Sequence, residues 1–176
     1  MLHALNWRRG TARFGADNCT LGGKAISGQK GTLLEGGSRV PLIANWPGST
    51  PAGKVNQDLT DFSDFFPTLA ELGGAKLPDG VTSDGRSMAA QIKGQKGNTR
   101  EWVYVELNGA SYVRDLRFKL TNKGELFDMK EAPFKEIPIP AGSESADAAA
   151  GRKRLQEILA QHSAAPHVAG AKKKKG

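Results

Sequence analysis

Four short segments of alternating apolar and polar residues follow one another between residues 102 and 128, and they constrain the fold more than any other feature of the chain. They are joined by Asn-Gly and Asn-Lys-Gly sequences, which favour the tight turns of β-hairpins. The pattern therefore predicts an antiparallel meander. Residues 133–140 are extended and proline-rich, and the spacing of apolar residues over 146–161 predicts a helix after the meander.

The first half of the chain predicts different elements. Val40–Trp46 is an apolar run with β-branched members, typical of a buried strand in a mostly parallel sheet. The next apolar residues recur at helical spacing and predict a helix whose apolar face packs on that sheet as core. These residues are Leu59, Phe62, Phe65, Phe66, Leu69 and Leu72. Asp64 is the predicted N-cap, Gly73-Gly74 is the predicted end, and a short helix is expected within residues 87–92.

Length and charge limit the function classes. A chain of 176 residues is long enough for one domain with its own core. Its net charge of +7 is compatible with binding of a polyanion, but Lys172–Lys175 supply four of these charges. No nucleic-acid recognition motif is present, so we expect no specific nucleic-acid partner. A noncatalytic polyanion-binding or interaction module stays open as the alternative function, and removal of the four lysines would test it.

Several residue types give only weak signals. The single cysteine, Cys19, provides no disulfide framework. The chain contains no apolar run of about 20 residues, so we expect no membrane span. Residues 1–10 contain no apolar stretch of the secretory type, and the compartment is left open. The three histidines, His3, His162 and His167, are expected to be solvated.

The segment Lys30–Pro41 combines a lysine, a carboxylate, an arginine and three glycines. Glycine permits positive φ and close backbone approach, and an ammonium group offers three donors to an oxyanion such as sulfate or phosphate. The residues alone predict either an anion-binding loop or a tight turn with solvated charges. Glu35 and Arg39 lie four residues apart, so they can pair and brace the loop.

This segment and its surroundings closely resemble the later half of the catalytic domain of the sulfatase family. The resemblance covers residues 14–129 and rests on these motifs: Asp17-Asn18, Gly22-Gly23-Lys24, Lys30-Gly31-Thr32, Glu35-Gly36-Gly37-Ser38-Arg39-Val40-Pro41, Trp46-Pro47-Gly48, Asp64–Gly73, Asp84-Gly85-Arg86-Ser87, Val113-Arg114, Phe118-Lys119-Leu120 and Glu125–Asp128. The wider alkaline-phosphatase-like superfamily shares the fold, so phosphate-ester hydrolysis is a related alternative. The Glu-Gly-Gly-x-Arg-Val-Pro segment favours a sulfatase.

The resemblance implies an α/β fold, namely the C-terminal part of a sulfatase-type α/β sheet domain followed by a small antiparallel β subdomain with a C-terminal helix. Residues 1–97 would form the partial catalytic core, residues 98–162 the antiparallel subdomain with its helix, and residues 163–176 a disordered basic tail. A parallel sheet needs cover on both faces. We therefore also expect exposed apolar surface and self-association through the sheet.

The resemblance also implies roles for individual residues. Asp17 and Asn18 match the family's ligand pair for a divalent cation, usually calcium, which prefers six to eight oxygen ligands. Two oxygen ligands are too few, so calcium binding by this chain should be weak. Lys30 matches the lysine that contacts the sulfate of the substrate, a sulfate ester, and would serve as both catalytic and substrate-binding residue. Lys24 is the second candidate, but Ala25 interrupts its Lys-Gly-Thr pattern.

The nucleophile of the family is a formylglycine, formed within a Cys/Ser-x-Pro/Ala-x-Arg motif. None of the 176 residues lies in such a motif, and Cys19 is followed by Thr20-Leu21-Gly22. We therefore expect a fragment of an arylsulfatase-like sulfuric ester hydrolase that is not catalytically competent by itself.

Overall fold

A computed structural model of the chain describes residues 20–80, 83–97 and 99–163. This part of the chain combines three short α-helices and one long C-terminal α-helix with two antiparallel sheets. The smaller sheet is a hairpin of β1 (Thr20–Leu21) and β2 (Lys24–Ala25). The larger sheet has five strands in chain order, which are β3 (Val103–Leu107), β4 (Ala110–Arg114), β5 (Phe118–Thr121), β6 (Leu126–Asp128) and β7 (Ile137–Ile139).

One face of the five-stranded sheet forms the hydrophobic core. The register places one apolar residue of each strand in a row across the sheet: Tyr104, Val113, Leu120, Leu126 and Ile139. Helix α4 (Ala146–Ser163) covers this row with Ala148 and Leu155, which are both buried. The sheet face and the helix therefore exclude water from one another.

The predicted meander and its helix are confirmed. The turn at Asn108-Gly109 has positive φ at both residues, as an Asn-Gly hairpin requires. The extended segment 133–140 is in addition a fifth strand, because Ile137–Ile139 pairs with β6. Pro138 lies within this strand, which is tolerated since β7 is at the edge of the sheet.

Helix α2 (Phe65–Leu72) is present where its apolar spacing predicted it, and it continues a 3₁₀ turn at Phe62–Asp64. Asp64 is at the predicted N-cap position of α2, but its side chain makes no capping bond to that helix. The side-chain cap belongs to Asp61, which accepts a hydrogen bond from the Ser63 N–H at the start of the 3₁₀ turn. Asp64 is instead the partner of this cap in a capping box and accepts the Asp61 N–H at 2.8 Å. Gly73 and Gly74 follow the helix as predicted.

The Asp64 carboxylate joins three distant segments. Arg100 donates to both of its oxygens, and the Arg86 N–H donates to one of them at 2.7 Å. Burial alone would raise the pKa of Asp64, but the hydrogen bonds from Arg100, Arg86 and Asp61 outweigh it and hold this pKa below its usual value. Asp64 is therefore a structural anion that fixes α2 to the segment before α3 (Ala89–Ile92), which forms within the range expected for a short helix.

Two predictions about the first half are wrong. Val40–Trp46 is not a strand, and none of the described strands pairs with it. The predicted core face of α2 is also largely exposed, with Phe62 at 75% and Phe66 at 52% of full exposure. Both errors have one physical cause, because an apolar strand or helix face is buried only if another element covers it. Val40 and Ile43 are correspondingly exposed.

None of the helices in the described ranges combines the length and the apolar character that crossing a bilayer requires. The domain boundaries at residues 97 and 162 stay a prediction. The expected basic tail, residues 163–176, lies outside the described residues apart from Ser163 at the end of α4.

Candidate anion-binding loop

Residues 27–39, called the lysine loop below, present Lys30 to solvent at a tight turn. The Thr32 hydroxyl donates to the Gln29 carbonyl at 2.7 Å and accepts the Gln29 N–H at 3.2 Å. Gly31 follows Lys30 with a φ of +86°, a conformation that L side chains rarely adopt. Lys30 is exposed, and within the described ranges no hydrogen bond or ion pair engages its ammonium.

The paired glycines of the lysine loop let it fold tightly on itself. A Cβ atom on Gly36 would overlap the Gly28 carbonyl, and one on Gly37 would overlap the Thr32 carbonyl. Gly36 N–H also donates to the Ser27 carbonyl at 2.7 Å. The sequence led us to expect that glycine would bring the backbone close to an anion, whereas Gly36 and Gly37 bring the backbone close to itself.

Glu35 holds the loop to the five-stranded sheet. It begins the short helix α1 (Glu35–Ser38), and its carboxylate is buried. The predicted pair with Arg39 is present at 3.4 Å, but Arg39 is about half exposed. A second and better buried guanidinium, that of Arg114 in β4, binds the other carboxylate oxygen.

Lys119 in β5 forms a second link between sheet and loop. Its ammonium donates to the Leu33 carbonyl at 2.6 Å and to Glu136 Oε2 at 2.7 Å. It also lies 4.3 Å from the centre of the Tyr112 ring, within the range of a cation–π contact. Both side chains of the Lys119–Glu136 pair are almost completely buried, at 3% and 4% exposure.

Tyr112 completes the contact between the two parts. Its hydroxyl donates to Ser38 Oγ at 2.7 Å. Burial is the main reason that the pKa of Tyr112 is raised to about 12, so the phenol is neutral at any physiological pH. Tyr112, Arg114 and Lys119 lie on the sheet face opposite α4, so the lysine loop covers the face that the helix leaves open.

Sequence reasoning missed these sheet residues as partners of the loop. The available signal was the alternation within the meander: Arg114 and Lys119 are cross-strand partners, and the residues next to them, Val113 and Leu120, face the core. A sheet with one apolar face and one face carrying buried charges needs a polar cover. The missing information was that a segment about 80 residues earlier supplies that cover.

The other predicted site residues are distributed differently. Asp17, Asn18, His3 and His167 lie outside the described residues. Lys24 is exposed on β2, with its ammonium 5.7 Å from the centre of the Phe134 ring. His162, expected to be solvated, instead packs 4.9 Å from both the Trp102 and Tyr104 rings.

No group of three or more acidic, histidine or cysteine side chains in the described ranges could hold a metal ion. What the lysine loop offers chemically is an exposed ammonium on an ordered turn, and such a group can bind and partly neutralise an oxyanion.

Comparison with known proteins gives a consistent set of relatives. No protein-family profile matches the chain. It is 30% identical over 139 residues to arylsulfatase G of Mus musculus, which covers 79% of this chain and 23% of that protein. It is 42% identical over 92 residues to steryl-sulfatase of Mus musculus, covering 52% and 14%. It is 38% identical over 96 residues to arylsulfatase A of Homo sapiens, covering 51% and 18%. The chain thus spans less than a quarter of the length of these relatives.

Proposed function

Because this chain belongs to the sulfatase family and matches only part of its relatives' length, we propose that it carries a portion of the substrate-binding apparatus of an arylsulfatase-like sulfuric ester hydrolase. In this proposal Lys30 contacts the sulfate group of a sulfate ester. The portion corresponds to the C-terminal part of a sulfatase-type α/β sheet domain together with the antiparallel subdomain that follows it.

The observation that carries this proposal is the contrast between Lys30 and the loop around it. The backbone near Lys30 is fixed by the Gln29–Thr32 turn and by the buried contacts of Leu33 and Glu35, whereas the ammonium itself faces solvent. When the backbone beside a cation is already ordered, binding of an oxyanion does not have to order that backbone as well. A lysine that served only solubility would not need such a framework.

Asp17 and Asn18 are proposed to contribute to a divalent-cation site, with calcium as the expected ion. Their carboxylate and amide oxygens are ligands of the kind that calcium prefers, but calcium takes six to eight of them. The support is the resemblance and the oxygen chemistry of the pair. Any calcium affinity of the isolated chain should therefore be weak.

The isolated chain is proposed not to turn over sulfate esters. A sulfatase requires a formylglycine nucleophile, and none of the 176 residues lies in a Cys/Ser-x-Pro/Ala-x-Arg motif. Lys30 alone could bind the sulfate group and stabilise negative charge, but it offers no nucleophile to the sulfur. Binding and turnover are thus separate predictions for this polypeptide.

Titration with inorganic sulfate, followed by backbone amide chemical shifts, tests the binding proposal. The full chain should show saturable shifts at residues 29–32. Lys30→Met should abolish them, whereas the matched variant Lys24→Met, which removes another exposed lysine, should retain them. Sulfate-induced shifts that depend on Lys24 but not on Lys30, or none at all near the loop, would contradict the proposal. Turnover of an aryl sulfate by the same sample would contradict the proposed lack of activity.

An interaction module is the second candidate function, and the exposed apolar surface favours it. Phe62 in the 3₁₀ turn and Phe66 and Leu69 in α2 are exposed at helical spacing, and Val40 and Ile43 add further exposed apolar area elsewhere in the chain. Exposed apolar side chains grouped on one side of a helix are typical of protein contact sites. We propose that the chain self-associates through this surface rather than through the parallel sheet that the sequence led us to expect.

A further inference from the structure

The buried pair of Lys119 and Glu136 is incompletely hydrogen-bonded. Glu136 Oε2 accepts from the Lys119 ammonium, but Glu136 Oε1 is buried and has no hydrogen-bond partner in the described part of the chain. Both side chains are at least 96% buried. Both charges of the pair therefore bear the free-energy cost of leaving water, but only one of the two carboxylate oxygens has the hydrogen bond that would offset this cost.

Stability is a poor explanation for such a pair. Removing two charges from water costs more than their attraction returns unless the remaining polar atoms are also satisfied, and apolar residues of similar volume are often at least as stable. What apolar residues could not provide is the third contact of the ammonium, the hydrogen bond to the Leu33 carbonyl at 2.6 Å. Leu33 is three residues from Lys30.

We propose that Lys119 is a positioning residue for Lys30, which it serves by fixing the Leu33 carbonyl and with it the turn at residues 29–32. This inference rests on the proposed function, in which Lys30 binds the sulfate group. Glu136 is the carboxylate partner of the Lys119 ammonium, and the Leu33 carbonyl is a separate acceptor for the same group.

The other anchors of the lysine loop act farther from the turn. Arg114 binds Glu35, and Tyr112 binds Ser38, both on the side of Leu33 that points away from Lys30. The Ser27 N–H donates to the Pro133 carbonyl at the beginning of the loop. Among the contacts that the five-stranded sheet makes with the loop, the bond from Lys119 is nearest in sequence to Lys30. Its loss should loosen the turn while α1 stays attached.

The variants must separate the bond to Leu33 from the ion pair. Lys119→Met combined with Glu136→Gln removes the bond without leaving an unpaired buried charge. Glu136→Gln alone is the control for loss of the carboxylate, because the new amide oxygen can still accept from the Lys119 ammonium and that ammonium can still donate to Leu33. Since this variant leaves a buried cation without a counter-ion, its stability to urea is measured beside its sulfate affinity. Lys119→Met combined with Glu136→Leu replaces the pair with apolar side chains throughout, and it serves if the first combination does not fold. Amide shifts of Val113 and Leu126 report whether the sheet is intact.

Two measurements on each folded variant test the proposal. Sulfate binding to the loop should weaken by about fivefold or more in the double variant and by less than about twofold in Glu136→Gln, because an oriented cation binds better than a mobile one. Hydrogen exchange at the Thr32 and Gly36 amides should accelerate only in the double variant. Rescue by Lys119→Arg, which retains charge and donors, should bring sulfate affinity back toward that of the unmodified chain.

The outcomes distinguish this inference from the proposed function. Unchanged sulfate affinity and unchanged Thr32 exchange in the double variant would overturn the positioning role of Lys119. If the unmodified chain itself does not bind sulfate, the proposed function fails, and the exchange rates alone then decide whether Lys119 holds the turn. Equal loss of affinity in Glu136→Gln and in the double variant would also overturn it, since the control keeps the bond to Leu33.

Discussion

Tyr112 shows how single residues join the lysine loop to the sheet. Its ring lies beside the Lys119 ammonium, and its hydroxyl binds Ser38 on the loop. A phenol in this position contributes an apolar ring to the buried face and one directional hydrogen bond. The phenolate form of Tyr112 would be costly there, because burial removes the water that would otherwise solvate its charge. The pH dependence of stability should therefore reveal this residue.

Replacing Tyr112 by Phe tests this at alkaline pH. An unfolded tyrosine releases its proton near pH 10, whereas Tyr112 in the fold does so at about 12. The folded state thus binds more protons than the unfolded state between these values, and stability falls as pH rises through them, by up to about 3 kcal/mol. Tyr112→Phe should lose about 1 kcal/mol at pH 7, from the hydrogen bond, but should lack the alkaline decline.

Urea unfolding at pH 7, 9 and 11.5 measures the difference. The chain has two tyrosines, so Tyr104→Phe is a matched control. Burial, as the largest cause, also raises the pKa of Tyr104, but this residue is only half-buried and should have a smaller effect. Parallel pH profiles for the unmodified chain and Tyr112→Phe would mean that the phenol is not buried as described.

At the residue scale, the sequence predicts local partners better than distant ones. The pair of Glu35 and Arg39 followed from a spacing of four residues. The stronger partner, Arg114, is 79 residues away, and no local pattern links it to Glu35. Asp64 was likewise assigned a local capping role, while its main cationic partner, Arg100, is 36 residues away. Spacing reveals a contact only when one element carries both residues.

Among the elements, α2 is the one whose surroundings differ most from expectation. Its apolar spacing correctly predicted a helix, but the buried residues here are polar, namely Thr68 in the helix and Asp64 in the 3₁₀ turn before it. The Thr68 hydroxyl accepts the Met88 N–H at 2.9 Å, so the polar side of the turn faces the protein. The phenylalanine side faces solvent.

Substitution of two exposed phenylalanines tests whether this side mediates association. Phe62→Ser combined with Phe66→Ser should shift sedimentation toward the monomer at micromolar concentration, because it removes the largest exposed rings of the surface. Val55→Ser is a control, since Val55 is 80% exposed but lies outside α2. If the double variant sediments like the unmodified chain, or if that chain is already monomeric, the proposed association surface is wrong.

The meander was predictable because the residues within each hairpin are sufficient to indicate its strands and its turn. Alternation specifies the strands, and Asn-Gly turns specify their pairing, so neither requires knowledge of other segments. Val40–Trp46 lacks this independence. Its apolar composition indicates a buried strand, but a strand exists only through its neighbours, and none of the described strands is adjacent to it. The composition of Val40–Trp46 therefore indicated that the segment could form a buried strand, but it did not show whether a partner strand is present.

At the scale of the whole molecule, buried apolar contacts are unevenly distributed along the chain. The buried hydrophobic cluster lies between the five-stranded sheet and α4, and it contains Val113, Phe118, Leu120, Leu126, Ala148 and Leu155. Residues 40–46 contribute none of these side chains and are mostly exposed. Local opening follows buried apolar contact and hydrogen bonding, so different parts of the chain should open at different free energies.

Hydrogen exchange measured along the full chain should reproduce this division. Amides of β4 and β5 should be strongly protected, and those of residues 42–46 should exchange almost as fast as in an unfolded peptide, since no backbone hydrogen bond is described for their N–H groups. Residues 33–38 should be intermediate because the buried charges hold them to the sheet. Equal protection of residues 42–46 and of β4 would contradict the described arrangement.

The distance in sequence between Glu35 and Arg114 has a consequence for synthesis of the protein. The ribosome adds about 5 to 20 residues per second, so Arg114 is made about 4 to 16 s after Glu35, which lies 79 residues earlier. During this interval the nascent lysine loop lacks Arg114 and Lys119, the two cations of the sheet that later hold it. The segment made early is thus completed late, and residues 33–38 of a newly made chain should stay unattached until the meander has formed.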